Sequence, residues 1–276
     1  MKKGEINRSS LGLALGGGVA RGLAHVGVLQ ALEDNQIYPD CIAGTSAGAL
    51  VGTMYAFGVP VKEIYNLAAK LRWPHISAPA VSPLGLASNQ AISKLVSTVI
   101  GDVNIEDAFI PLVITATDIV SGEEVLLRKG NLAQALMAST CIPGVFKPVN
   151  IDGKMLVDGG LVDNVPIAPL KEISQIIIAV NVNPHGNYRR PTHLVDILLN
   201  AYDISTGANT LRNLKNADVV ISPNVTAYSR TNLKKLPEFY KEGYKAAIAE
   251  LPEIKRVMQG KTESRVSKLV RNLFGQ

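Results

Sequence analysis

Gly44-Thr45-Ser46-Ala47-Gly48 sets a serine between two glycines, after the apolar run Cys41-Ile42-Ala43 and before the small-residue segment Ala47 to Phe57. A serine on a sharp strand-to-helix turn exposes its hydroxyl above the sheet edge, and the flanking glycines let strand and helix cross closely. The first amides of the helix favour negative charge developing beside that hydroxyl. Ser46 is therefore a candidate nucleophile. The same five residues also suit a tight turn with no chemistry.

Two further clusters could serve such a nucleophile. Gly16-Gly17-Gly18-Val19 lies between the first apolar run and the first amphipathic segment. Consecutive glycines let amides converge on an anion, as a phosphate cradle or an oxyanion hole, or they form a turn made only for packing. A dinucleotide fingerprint from Gly16 and Gly18 would need glycine where Arg21 stands, and no Lys-Ser or Lys-Thr pair completes a phosphate loop. Arg21 is expected to shape this loop or to pair with a carboxylate. Asp158 ends an apolar run and precedes Gly159-Gly160. It could take the Ser46 proton and return it to a leaving group, or simply form the turn. The histidines are His25, His75, His185 and His193. His25 reads as a packing or hydrogen-bonding helper on the first helix. The order Ser46, Asp158, then His185 or His193 imitates a hydrolase triad, but only one strand precedes the elbow strand, where that fold builds several.

The elements that must hold these groups alternate. Leu11–Leu15 reads as a buried strand. Leu23, Val26, Leu29 and Leu32 give a helix over 23–35. A strand over 40–43 leads into the Ser46 turn, and a helix over 47–57 is apolar nearly all round, so it must be buried. Helices are predicted over 60–71, 89–100, 131–139, 166–171, 192–214 and 234–250. Strands are predicted over 111–117, 124–128, 154–157, 175–181 and 218–221, with Ser121-Gly122 as a hairpin signal. The proline-bearing stretch 74–88 is the least regular and could border a ligand site as a flap. Continuous apolar strands such as Ile176-Ile177-Ile178-Ala179-Val180 fit a sheet covered on both faces. The fold class is α/β: a three-layer α/β/α domain with a mostly parallel central sheet.

Composition agrees. The chain has 276 residues, 47% hydrophobic and 18% charged, enough for one large core and too apolar for disorder. Residues 1–253 are expected to form the domain, with 254–276 as a basic amphipathic C-terminal helix extending it. The net charge of +5 resides in that extension, where Lys255, Arg256, Lys261, Arg265, Lys268 and Arg271 face only Glu263. The neutral body offers no phosphate-binding groove, and 5% aromatics poorly supply base stacking, so nucleic acid is not an expected partner. Val266, Leu269, Val270, Leu273 and Phe274 make an apolar stripe on the tail. It fits an anionic bilayer surface, or docking on the domain itself or on a second subunit. Cys41 and Cys141 read as buried free thiols. With a polar N-terminus and no span-length apolar run, the expected location is cytoplasmic, with peripheral contact at the inner face of the membrane as an option.

Taken together, four ordered blocks resemble the bacterial branch of the patatin-like phospholipase family: GGGVARGLAHVGVL (Gly16–Leu29), GTSAG (Gly44–Gly48), ASTCIP (Ala138–Pro143) and DGGLVDNVP (Asp158–Pro166). The resemblance spans Leu11 to about Val182. It implies Ser46 as nucleophile and Asp158 as base of a Ser-Asp dyad that needs no histidine. Amides of Gly16, Gly17, Gly18 and Val19 would form the oxyanion hole. It further implies hydrolysis of phospholipid, lysophospholipid or simpler acyl esters, with no metal or cofactor. A non-enzymatic lipid-binding or regulatory protein on the same fold is the alternative.

Overall fold

A computed structural model of the chain describes residues 9–72, 78–79, 83–183, 190–229 and 231–274, from 261 onward as backbone alone. In chain order the elements are β1 (Ser9–Leu15), α1 (Ala24–Asp34), β2 (Cys41–Thr45), α2 (Ala47–Ala56), α3 (Val61–Lys70), β3 (Ala78–Pro79), β4 (Ala87–Ser88), α4 (Gln90–Val99), β5 (Leu112–Asp118), β6 (Glu124–Leu127), α5 (Leu132–Ser139), β7 (Val149–Ile151), β8 (Lys154–Asp158), β9 (Ser174–Val180), α6 (Leu194–Leu214), β10 (Val219–Ile221) and α7 (Leu236–Phe274). Eight strands form one sheet in the order β10-β9-β1-β2-β5-β8-β7, with β6 also paired to β5. From β10 to β5 every pairing is parallel, and β6, β7 and β8 add antiparallel pairings at one side.

The alternation of side chains along the strands separates the layers. Leu11, Leu13 and Leu15 of β1, Ile42, Ile114, and Ile176, Ile178 and Val180 of β9 share one core with α1, α2, α3 and α7. The intervening residues, Ile177 apart, are smaller: Ala14, Cys41, Ala43, Val113 and Ala179. They pack against Val165, Ile167, Leu170 and Leu214 of α6. This is the three-layer α/β/α arrangement, with a mixed, largely parallel sheet. On the first face α1 and α7 cross backbone to backbone. A Cβ at Gly27 would strike Tyr240 O, and one at Gly243 would strike Ala24 O.

Four elements depart from expectation. Residues 166–171 form only a 3-10 turn, Ala168–Leu170, because Pro166 and Pro169 have no amide to donate to a helical ladder. α7 continues through Pro252, where the sequence suggests an end near residue 250. β7 and the short β3–β4 ladder have no periodicity long enough to be read. Residues 74–77 and 80–82 of the expected flap lie outside the described residues, as do His75 and His185. Cys41 and Cys141 are buried free thiols, as expected. No helix among the described residues is long and apolar enough to cross a membrane.

Candidate active site

One strand edge brings the two principal side chains together. Ile114 and Thr115 of β5 pair with β2 on one side and β6 on the other, while Ala116 and Thr117 pair with β8 and β6. Since β6 occupies one edge throughout, β2 and β8 must share the opposite edge, end to end. β2 finishes at Thr45, opposite Thr115, and antiparallel β8 arrives at Asp158, opposite Ala116. Ser46 and Asp158, separated by more than a hundred residues, thus stand where two strand ends meet.

Ser46 has φ +54° and ψ −121°, a left-handed conformation that costs a non-glycine residue on the order of 1–3 kcal/mol. The surroundings fix it. Its amide donates to Ser139 Oγ at 2.8 Å, and its carbonyl accepts from Leu50 N at 3.0 Å in the first turn of α2. A Cβ at Gly48 would strike Leu15 O, and one at Gly44 would lie 2.6 Å from Ala49 Cα, so both flanking glycines are steric requirements.

Asp158 is 3% exposed. Its Oδ1 accepts from Gly160 N at 2.9 Å and from the Tyr202 hydroxyl at 2.9 Å. Burial raises the carboxyl to about 6, against the restraint of hydrogen bonds from Ser46, the Gly160 amide and Tyr202. An aspartate so placed is a better proton acceptor than one in water, and is still mostly ionised near neutrality.

The glycine loop divides in two. Gly16 N donates to Val180 O at 3.0 Å, and Gly17 N to Asn164 O at 3.1 Å. Gly16 O faces His25 Nε2 at 2.7 Å, Gly17 O accepts from Asn183 Nδ2 at 3.1 Å, and Gly18 O accepts from Arg21 N at 3.0 Å. These bonds commit the Gly16 and Gly17 amides to holding the loop. Among the described residues no protein acceptor takes the Gly18 or Val19 amide. The four amides expected from the sequence therefore narrow to these two as free donors. Val19 is held at φ +52°, costly for a β-branched residue.

His25 is the hydrogen-bonding helper the sequence suggests. It is fully buried, and desolvation lowers its pKa to about 4, so a neutral ring donates to the loop through Nε2. Arg21 shapes the loop: Nη1 reaches Asn183 Oδ1 at 3.4 Å and Nη2 reaches Tyr228 O at 3.2 Å. His193 is exposed at the start of α6. Ser139, Asn164, Asn183 and Tyr202 were not singled out from sequence. Ser139 lies within the ASTCIP block, whereas Tyr202 sits in a long helix with no distinguishing pattern.

Two cavities meet at Ser46. One, of about 130 Å³, is lined by Ala47, Leu50, Val51 and Met54 of α2, Ile64, Leu67 and Ala68 of α3, Ile92 and Leu95 of α4, and Phe146. The other, of about 20 Å³, is lined by Gly17, Gly18, Asp158, Asn164, Asn183, Tyr202 and Asp203. Val19, Ser46 and Ile142 line both.

Residues 13–171, more than half the chain, match the family model described as patatin-like phospholipase. The chain belongs to the patatin-like phospholipase family. Among its relatives is an uncharacterized NTE family protein of Mycobacterium tuberculosis, 39% identical over 175 residues that cover 62% of this chain and 48% of that one. Another is the lysophospholipase NTE1 of Saccharomyces cerevisiae, 28% identical over 86% of this chain and 16% of that protein. The chain spans about half the length, or less, of these relatives. The fold is also that of VipD from Legionella pneumophila, with a TM-score of 0.51 at 14% identity over 88% of this chain and 66% of that one. The elbow, the glycine loop up to Val19 and the Asp158 turn all fall within the span of the family match.

Proposed function

We propose that this protein is a serine acyl hydrolase that cleaves carboxylic ester bonds of phospholipids, lysophospholipids or related acyl esters. The observation that carries this reading is the end-to-end meeting of β2 and β8, which sets Ser46 beside the buried carboxylate of Asp158. In the reaction Ser46 Oγ attacks the ester carbonyl and its proton passes to Asp158. The carbonyl oxygen becomes an oxyanion that the amides of Gly18 and Val19 stabilise, aided by the N-terminus of α2. The intermediate collapses, the bond to the alcohol breaks, and protonated Asp158 gives its proton to the departing oxygen. Water then gives a proton to Asp158 and attacks the acyl-enzyme. Return of the proton to Ser46 releases the carboxylic acid. The apolar cavity takes the acyl chain and the smaller polar one the alcohol.

The same reading assigns residues 1–253 to the catalytic domain. It gives the basic extension 254–276 a peripheral contact with anionic lipid at the inner face of the cytoplasmic membrane. Six basic side chains against one acidic one support this, at about 1 kcal/mol per basic group near such a surface. The central test is a serine-reactive phosphonate read by mass spectrometry. The expected result is one adduct, on Ser46, absent from Ser46→Ala. Folded protein that takes no adduct while a control hydrolase is labelled would favour the non-enzymatic alternative.

A further inference from the structure

Asp158 has two carboxylate oxygens, and the structure treats them differently. Both fixed donors, Gly160 N and the Tyr202 hydroxyl, bond to Oδ1, each at 2.9 Å. A carboxylate oxygen has about two acceptor sites, so Oδ1 is filled. Gly160 is required for this arrangement, because a Cβ there would strike the Tyr202 hydroxyl oxygen. Tyr202 arrives from α6, on a different element from either strand end, and lines the same small cavity as Ser46. We infer that Tyr202 is a positioning residue for the base: with the Gly160 amide it occupies Oδ1 of Asp158 and leaves Oδ2 to exchange the proton with Ser46. This rests on the Ser46–Asp158 reading above.

Physical chemistry gives the device two effects. It fixes the carboxylate plane, so that the free oxygen faces the nucleophile rather than rotating away. It also stabilises the charged form of a carboxylate that burial would otherwise protonate. The titratable groups around Asp158 leave that role to Tyr202. Its own phenol is pushed up by burial and by Asp158, so it remains a donor throughout the working range. The Cys141 thiol is pushed up to about 12 by burial, with Asp158 adding to the shift, and stays neutral. Asp203, the neighbour of Tyr202 on α6, lines the same cavity.

The test is the pH profile of kcat/KM on a short soluble ester, from pH 4.5 to 9, for the full chain and for Tyr202→Phe, Gly160→Ala and Asp158→Asn. The wild-type profile is expected to rise with a midpoint near 6 as Asp158 ionises. Loss of a donor to the carboxylate raises its pKa, so Tyr202→Phe should move that midpoint up by about one unit. The plateau at high pH should fall by no more than about tenfold, since a positioning group aids the proton transfer without performing it. Gly160→Ala, which expels the same hydroxyl, should shift the midpoint in the same direction. A lower plateau with an unmoved midpoint in folded Tyr202→Phe would mean a merely structural tyrosine and would overturn the inference. So would a loss as complete as that of Asp158→Asn at every pH. If Asp158→Asn itself retained wild-type activity, the dyad reading would fail first, which separates the two conclusions.

Discussion

The two cavities that meet at Ser46 are built by opposite means. The apolar one is a gap between helix faces, lined by side chains from α2, α3 and α4 that reach it at helical spacing. The polar one is assembled from strand ends and turns, and hydrogen bonds between distant elements tie Asp158 to Tyr202 and Gly17 to Asn183 in its wall. The first tolerates change of shape, because dispersion and desolvation are non-directional. The second does not, because a buried polar group that loses its partner bears the full cost of desolvation. If the proposed function holds, substrate selection should be adjustable on one side of Ser46 and chemistry fixed on the other.

Four variants can break or sharpen that contrast. The largest effect is expected on the polar side. Asp158→Asn should lower kcat/KM at pH 8 by about 10²–10⁴-fold, since asparagine keeps the shape but takes no proton. The same variant should be more stable than wild type at pH 8. A carboxyl raised from 3.8 to about 6 by folding contributes stability while protonated, and loses it as pH rises through 6. Asparagine suffers no such loss, so its thermal midpoint should exceed the wild type at pH 8 and converge with it below about pH 4. On the apolar side, Leu67→Trp should leave turnover of a short ester nearly intact. It should cut kcat/KM for a long-chain ester by about tenfold or more, by filling the chamber. Equal losses on both esters would mean that this cavity does not hold the acyl chain. Away from both cavities, deletion of 261–276 should reduce hydrolysis of anionic vesicles severalfold, with little effect on the short ester or on the thermal midpoint. Equal losses would remove the case for a membrane-directed tail. His193→Ala should change activity by less than about twofold. A loss matching Asp158→Asn in folded protein would instead revive a histidine triad.

Local chemistry made much of this legible in sequence. The elbow, the glycine loop and the aspartate turn are short runs whose residue types are demanded by backbone geometry, and each could be read without knowing the fold. The strands of the parallel region announced themselves as continuous apolar runs. What stayed hidden depends on contacts far apart in the chain. Nothing near Tyr202 in the sequence signals that its hydroxyl reaches Asp158, 44 positions away. The loop glycines illustrate the same limit. All four amides of Gly16 to Val19 looked equivalent, yet two are consumed by Val180 and Asn164, carbonyls supplied by distant strands and turns. Pro252 misled in the other direction. A proline usually ends a helix by removing a donor and crowding the preceding turn, but α7 is braced against α1 on one side and runs on through it.

The left-handed backbone of Ser46 has a practical consequence. That conformation is held by Ser139, 93 positions away, and by glycine contacts with β1. A chain that has lost those contacts presents an ordinary serine, with neither the turn that sets it in the wall of both cavities nor the carboxylate beside it. If Ser46 is labelled as proposed, its covalent capture doubles as a census of native molecules. The adduct yield during a denaturant series should fall in step with the loss of tertiary structure, and should register a local opening of α5 or β8 before the rest of the sheet gives way.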